Sequence, residues 1–306
     1  MKKLGNIIIP AVTPFDEDGT LRLDWLKENY ANWNRTDIGG IMALGSNGEF
    51  RSLNDDEAFA VIQTGAESIS PDKVFIVGIG RESLQETLAF LKRLEDARLA
   101  IDYVSVLTPC YFKSLMTDEA LIGYFTAVAD ASSYPVLLYC APGFANGVVI
   151  SPEALKVLAD HPNIKGIKDT TKDMMNAYMD AVGGRDDFDV LSGSLGSIMI
   201  CMERGGKGGV ISSANYFPQA CSRLCRILKE EGVEAARAYH AVMKETGAGT
   251  GGKASVAGVK ATMNLMGYKG GFPRRPVLPC GEELVCGIRA YIEAHEDLLG
   301  GDRVGS

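Results

Sequence analysis

Eight short apolar runs, at residues 6–12, 39–44, 74–77, 102–107, 135–139, 164–168, 188–191 and 208–211, recur along the chain, and the stretches between them have helical spacing. Several of those stretches open on helix-start signals. Asn54 precedes Glu57 by three residues, Ser83 and Glu86 form a capping-box pair, Asp118 and Glu119 supply acidic residues for a first turn, and Ser151-Pro152-Glu153 sets a proline where a helix tolerates one. Strand and helix therefore alternate, which builds a parallel sheet covered by helices. Eight repeats, with strands too apolar to face water, imply closure of that sheet into a (β/α)8 TIM barrel of the α/β class. An open, doubly wound sheet is the alternative arrangement of the same units.

Beyond residue 211 the pattern becomes helical, at 217–230, 233–246, 255–266 and 281–295, broken by the glycine-rich Gly247-Ala248-Gly249-Thr250-Gly251-Gly252 and by residues 270–279. The first of these helices completes the barrel, giving a barrel over 1–231 and a C-terminal helical subdomain over 232–306. No low-complexity linker separates the two, so the subdomain is expected to pack on the barrel.

In a parallel barrel the chemistry sits where strands end. The sixth run ends in Lys168, followed by the polar turn Asp169-Thr170-Thr171. A lysine has a reference pKa of about 10.4, and a desolvating pocket lowers that value until the neutral amine can attack a ketone. Lys168 is thus a candidate Schiff-base lysine acting on a 2-oxo acid; the alternative is a lysine that caps a strand and points at water. Lys165 lies three residues earlier, an odd spacing that turns it to the opposite face of the strand. The other strand ends bring Thr13, Gly45-Ser46-Asn47-Gly48-Glu49, Thr108-Pro109-Cys110-Tyr111, Tyr139, Gly193-Ser194 and Ser212. The glycines of the 45–49 loop let backbone N–H groups approach an anion, and Ser46 and Asn47 add side-chain donors suited to a carboxylate. Such glycines also serve plain turns, and a strand-end tyrosine also serves packing.

Composition narrows the partners. A net charge of −8 over 306 residues argues against nucleic acid or anionic membrane, since both call for a basic face, and leaves a small acidic substrate open. Prolines and Asp16 interrupt the N-terminal apolar run before a signal segment could form, and no run reaches the roughly 18 apolar residues of a membrane span. A cytoplasmic protein is expected. The seven cysteines (Cys110, Cys140, Cys201, Cys221, Cys225, Cys280, Cys286) read as buried free thiols, and His161, His240 and His295 are too dispersed for a metal centre. Neither a metal nor another cofactor is expected.

These residues resemble the class I pyruvate-dependent aldolases, the family of dihydrodipicolinate synthase and N-acetylneuraminate lyase. The likeness spans nearly the whole chain and rests on Gly45-Ser46-Asn47-Gly48-Glu49, Thr108-Pro109-Cys110-Tyr111, Tyr139-Cys140-Ala141-Pro142 and Gly166-Ile167-Lys168-Asp169-Thr170 in order. Within the family the 4-hydroxy-2-oxoglutarate aldolases are most similar, through Phe50 after the first motif, His161-Pro162-Asn163-Ile164, Gly258-Val259-Lys260 and Gly267-Tyr268. The resemblance implies that Lys168 forms the imine with pyruvate, that no other cofactor is needed, and that Tyr139 moves protons at the reacting centre. It implies further that Ser46 links Tyr139 to Tyr111 of a neighbouring subunit and that Ser46 and Asn47 hold the carboxylate. Thr170 then falls near the distal oxygen of the substrate, Gly193 and Ile211 line the pocket, and the assembly is a homotetramer built as a dimer of dimers.

Two departures bear on the reaction. Dihydrodipicolinate synthases carry an arginine, two residues past the motif proline, that grips the second substrate; Phe144 stands there in this chain, with Arg81, Arg274 and Arg275 as possible substitutes. The asparagine usual after the motif tyrosine is Cys140. The expected reaction is cleavage or formation of a short 4-hydroxy-2-oxo acid with pyruvate as product or donor. Synthase-type condensation, dehydration or deamination on the same imine, and a silent 2-oxo-acid-binding barrel are the alternatives.

Overall fold

The computed structural model of the chain describes residues 2–250 and 254–305. Among them, eight strands follow one another in sequence order around a closed barrel. They are β1 (Asn6–Pro10), β2 (Gly40–Ala43), β3 (Val74–Gly78), β4 (Tyr103–Leu107), β5 (Val136–Cys140), β6 (Ile164–Asp169), β7 (Asp189–Ser192) and β8 (Gly208–Val210). The intervening helices are α1 (Leu23–Trp33), α2 (Asp55–Ser68), α3 (Leu84–Asp96), α4 (Asp118–Ala131), α5 (Pro152–Leu158), α6 (Met175–Val182) and α7 (Ile198–Glu203). After β8 come α8 (Pro218–Glu230), α9 (Val233–Gly249), α10 (Ser255–Leu265), α11 (Glu282–Ala294) and α12 (Glu296–Leu299). The (β/α)8 architecture is the one that the alternation of apolar runs and helical stretches dictates. No helix among the described residues is long and apolar enough to cross a membrane.

The helix starts follow from their caps. Asn54 Oδ1 accepts the Glu57 N–H at 2.9 Å while the Glu57 carboxylate accepts the Asn54 N–H at 3.1 Å, a reciprocal box that satisfies two otherwise orphaned donors. Ser83 and Ser151 cap α3 and α5 through their hydroxyls, which accept the Glu86 and Ala154 N–H groups, and Pro152 sits in the first turn of α5. At Ser83 the expected box is not closed, because the Glu86 carboxylate accepts the Ser83 hydroxyl and not its N–H.

By packing, the chain forms two compact units. One holds Phe75–Val210 with the N-terminal stretch through Gly5, the other Asn6–Val74 with the chain from Ile211 onward. In the first, β4 to β8 pair in parallel and are buried on both faces, which is why they read as continuous apolar runs. Their register sets Tyr139 beside Lys168 across β5 and β6, and Lys168 beside Leu191 across β6 and β7. In the second unit β1 and β2 pair in parallel, and Trp33 is the centre of an aromatic core, stacked 6.2 Å from Tyr268 and donating to the Asn215 carbonyl at 3.1 Å. Asn215 also bonds the Val12 N–H and the Pro10 carbonyl, which draws the chain away from the β1 ladder after Pro10 although the apolar run continues to Val12.

Helix α9 departs from the reading of its sequence. It continues through Gly247 to Gly249 instead of stopping at Thr246, because Gly249 serves a helix crossing and not a turn. A Cβ there would sit 2.3 Å from Cδ2 of Tyr291 on α11. Gly251 and Gly252 of the same glycine-rich stretch lie outside the described residues. The cysteines are free, and Cys286 is exposed where a buried thiol is expected.

Candidate active site

Lys168 is the one lysine of β6 whose side chain is enclosed. It is only 3% exposed, whereas Lys165 is half-buried and acts electrostatically on Asp187. Burial with loss of hydration lowers the Lys168 amine from 10.5 to about 7, because the ammonium is the form that water would have stabilised. Its Nζ stands 4.0 Å from the centroid of the Tyr139 ring. A π face attracts the ammonium and opposes the shift, so desolvation prevails over that attraction. At neutral pH the group is therefore divided between amine and ammonium, the condition a nucleophilic lysine needs.

The turn after Lys168 is organised by its neighbour. Side chains alternate along a strand, so Asp169 points to the other face of β6. There it is fully buried, and its carboxylate accepts the Thr171 N–H at 2.8 Å and the Thr171 hydroxyl at 3.0 Å. Burial raises the Asp169 carboxyl to about 6 against the pull of those two bonds. Thr171 in turn accepts the Met174 N–H at 3.2 Å, just ahead of α6. Thr170 is held from β5, its N–H and its hydroxyl both donating to the Cys140 carbonyl at 2.9 and 3.0 Å. The hydroxyl proton of Thr170 is thereby engaged, and toward a ligand this oxygen acts as an acceptor.

Gly193, after β7, lies against that turn. A Cβ there would be 2.0 Å from Thr170 Cγ2 and 2.8 Å from the Asp169 carbonyl, so only glycine admits this approach. Beyond it Ser192, Ser194 and Ser197 join hydroxyls, with Ser192 to Ser197 at 2.8 Å and Ser194 to Ser197 at 3.1 Å. Cys140 is enclosed beside Tyr178, whose hydroxyl donates to the Ile150 carbonyl at 2.6 Å and lies 3.3 Å from the thiol. Burial pushes that thiol up, away from the thiolate form.

Tyr111 is set apart from this cluster. Its side chain is 76% exposed and packs edge-to-face on Phe112, ring centroids 4.9 Å apart. The backbone beneath it is fixed by Glu82, whose carboxylate accepts the N–H groups of Cys110 and Tyr111 at 2.8 and 2.9 Å. Phe144, in the turn after β5, is 50% exposed, its N–H bound to the Ala141 carbonyl.

The remaining sequence-derived candidates belong to the other unit. Ser46, half-buried, accepts the Glu49 N–H through its carbonyl at 3.1 Å, closing the loop after β2. Asn47 is buried and donates to the Ser212 hydroxyl at 2.8 Å, which joins this loop to the segment after β8. Ile211, at the head of that segment, is buried and donates its N–H to Ile8 of β1 at 3.2 Å. Arg274 is committed elsewhere. Its guanidinium binds Glu57 at 2.8 and 2.6 Å, the Ser52 carbonyl at 2.7 Å and the Gly19 carbonyl at 3.0 and 2.8 Å, which uses all five donors. Arg81, the exception, lies in the first unit, where it donates to the carbonyls of Ile79 and Gly80 and lies over the Phe90 ring. Residue spacing carries no sign of the roles of Glu82 and Asp169; only adjacency to Lys168 marks the latter.

Comparison with known proteins gives the same pattern over the whole chain. The sequence profile of the dihydrodipicolinate synthetase family matches residues 3–295. A 4-hydroxy-tetrahydrodipicolinate synthase from Xanthomonas campestris pv. campestris is 33% identical over 276 residues, 90% of this chain and 89% of that protein. A probable mitochondrial 4-hydroxy-2-oxoglutarate aldolase from Emericella nidulans is 32% identical over 300 residues, 95% of each. The crystal structure of dihydrodipicolinate synthase from Thermotoga maritima superposes with a TM-score of 0.89 at 27% identity, covering 97% of this chain and all of that one.

Proposed function

Because the chain belongs to the dihydrodipicolinate synthetase family, and so is a class I pyruvate-dependent aldolase or lyase, we propose that it cleaves a short 4-hydroxy-2-oxo acid to pyruvate and an aldehyde through an imine on Lys168. The observation that carries this reading is the enclosed Lys168 amine, lowered to about 7, over the Tyr139 ring.

The neutral amine adds to the C2 carbonyl, and loss of water gives the iminium. Removal of the C4 hydroxyl proton then lets the C3–C4 bond break, its electron pair moving into the iminium to leave an enamine and release the aldehyde. Protonation at C3 and hydrolysis of the imine return pyruvate and free Lys168. Tyr139 is the group we assign to these proton transfers. The roles of Ser46 and Asn47 as carboxylate ligands, of Thr170 toward the distal oxygen, and of Gly193 and Ile211 in lining the pocket are inferred from their motifs.

Two features favour cleavage over synthase-type condensation. Phe144 offers no cation at the position where synthases carry an arginine, and Arg274 has no donor left for a second carboxylate. A charge-assisted hydrogen bond is worth about 1.5 to 3 kcal/mol, so losing one corresponds to roughly a tenfold to hundredfold loss or more. Tyr111 projects from its loop as a residue completing a site in a second copy would, which supports an active assembly of at least two copies, and the homotetramer is inferred from the family resemblance. The free thiols suit a reducing, cytoplasmic setting.

The test is to compare kcat/KM for pyruvate release from a panel of 4-hydroxy-2-oxo acids with kcat/KM for condensation of pyruvate with aspartate semialdehyde. We expect the best cleavage substrate to lead by at least about 100-fold, equivalent to about 2.7 kcal/mol. Condensation as fast or faster would overturn the assignment in favour of a synthase.

A further inference from the structure

The most completely enclosed cation among the described residues outside the candidate site is Lys260, on α10. It is 0% exposed, and its ammonium donates to the Thr13 carbonyl at 2.8 Å and to the Phe272 carbonyl at 2.7 Å. The third partner is the buried carboxylate of Glu49, with which it forms an ion pair. An ammonium has three N–H donors; two are placed on carbonyls, and the charge faces the Glu49 carboxylate. The Phe15 ring lies alongside, its centroid 4.5 Å from Nζ.

Two of these partners, Glu49 and Thr13, lead back to one loop. Glu49 closes the 45–49 loop in a left-handed conformation, φ 49°, which a side chain other than glycine adopts only when the surroundings hold it there. Its second oxygen accepts the Arg274 N–H at 2.9 Å. Thr13, whose carbonyl Lys260 holds, donates its hydroxyl to the Gly48 carbonyl at 2.7 Å. A single ammonium therefore fixes both the final residue of the loop and the strand-end residue that grips the loop from the β1 side. Ser46 and Asn47 immediately precede Gly48 and Glu49, the two loop residues so clamped.

Stability alone is a poor account of this arrangement. Taking two charges out of water is costly, and apolar side chains of similar volume commonly replace a buried ion pair without loss. The cost is visible in Lys260 itself, whose amine burial lowers to about 8 even with Glu49 beside it. What an ion pair with two directed bonds to backbone carbonyls adds, and a methionine cannot, is a fixed geometry for the backbone it touches.

We propose that Lys260 is a positioning residue for substrate binding, holding the 45–49 loop through Glu49 and Thr13 so that Ser46 and Asn47 present their donors to the substrate carboxylate. The proposal rests on the reading of Ser46 and Asn47 given above. Lys260 does not touch substrate.

The experiment uses the double variant Lys260→Met/Glu49→Gln, which removes the pair without leaving a buried unpaired charge, with Glu49→Gln alone as the companion should the double variant fail to fold. Reductive trapping of pyruvate on Lys168 by cyanoborohydride is followed by peptide mass against pyruvate concentration, with Ser46→Ala and Asn47→Ala as controls. The expected result is a folded variant whose half-saturating pyruvate concentration rises at least about tenfold, the scale of a lost hydrogen bond to a charged group, while the trapping rate at saturation stays near wild type. A merely structural role would lower the melting temperature and leave half-saturation unchanged. Unchanged half-saturation in the folded variant, with the Ser46 and Asn47 variants weakened, overturns the positioning role alone. Unchanged half-saturation in all of them overturns the carboxylate-binding role of the loop, and the proposal with it.

Discussion

Replacing Tyr139 by leucine should lower the pH at which Lys168 becomes nucleophilic, while replacing it by phenylalanine should leave that pH in place. Lys168 falls from 10.5 to about 7 through burial, a bias against its ammonium of about 5 kcal/mol at 1.36 kcal/mol per pH unit. At pH 7 about half the lysine is neutral, against roughly 0.03% for an ordinary lysine, an enrichment of the attacking species on the order of 1,000-fold. The Tyr139 ring, 4.0 Å from Nζ, pulls the other way by about 0.5 to 2 kcal/mol. Removing the ring should thus move the half-point of the rise down by about 0.4 to 1.5 pH units.

The assay is the rate of cyanoborohydride trapping at a fixed, subsaturating pyruvate concentration between pH 5.5 and 9. Only the neutral amine attacks, so the rate should climb as pH rises through about 7 and flatten above it. Tyr139→Phe keeps the ring and should keep that half-point, while steady-state cleavage falls about 100-fold or more through loss of the phenolic proton carrier. A half-point near the ordinary lysine value, or an upward shift in Tyr139→Leu, would show that desolvation does not set the reactivity of Lys168. An adduct on Lys165 would place the chemistry on the wrong residue.

Lys168→Met should stabilise the protein by about 2 to 4 kcal/mol at pH 7 in denaturant titration, because the unfolded chain binds a proton there that the folded chain half releases; a destabilised variant would contradict the burial cost. The advantage should shrink as pH rises from about 7 toward 10.5, where the two states come to bind protons equally. Asp302, whose carboxylate accepts the N–H groups of Gln219 and Ala220 at the start of α8, is raised by burial to about 6 from 3.8. Its contribution to stability is full below about 3.8 and is lost as pH rises through about 6, so wild type minus Asp302→Asn should fall by about 3 kcal/mol across that window, and a flat difference would remove the role of burial. Mixing inactive Tyr111→Phe and Tyr139→Phe subunits under exchange should restore part of the cleavage activity if Tyr111 serves a neighbour's site, and no recovery would refute it.

What the sequence made legible followed from local rules. The eight strands were readable because a parallel strand buried on both faces is a continuous apolar run, and helix starts such as Asn54 and Ser151 were readable because caps act over three residues. Lys168 stood out as a charge ending an apolar strand. The end of α9 was misread because a glycine signals either a stop or a close approach, and the Tyr291 ring that decides between them lies on another helix. Glu82 reaches its partners across 28 and 29 residues, Arg274 reaches Glu57 across 217, and Lys260 reaches Thr13 across 247. Such contacts are set by the topology of the barrel and leave no mark on spacing.

Lys168 and Lys260 show how one fold can give one residue type opposite surroundings. Both are stripped of water, and in both burial lowers the amine, to about 7 for Lys168 and about 8 for Lys260. Lys260 has two carbonyl oxygens and a carboxylate around its ammonium, so its charged form, though costly, is the form its surroundings are shaped to hold. For Lys168 desolvation is the cause of the shift, and the aromatic face of Tyr139 offers a weaker attraction than a carboxylate would. A carboxylate at that distance would stabilise the ammonium and extinguish the nucleophile. The strand places its acid, Asp169, one residue later, where alternation turns it to the opposite face to order the turn. The pairing of Lys168 with Asp169 in sequence is thus a separation in space, which keeps this carboxylate from holding the lysine in its ammonium form.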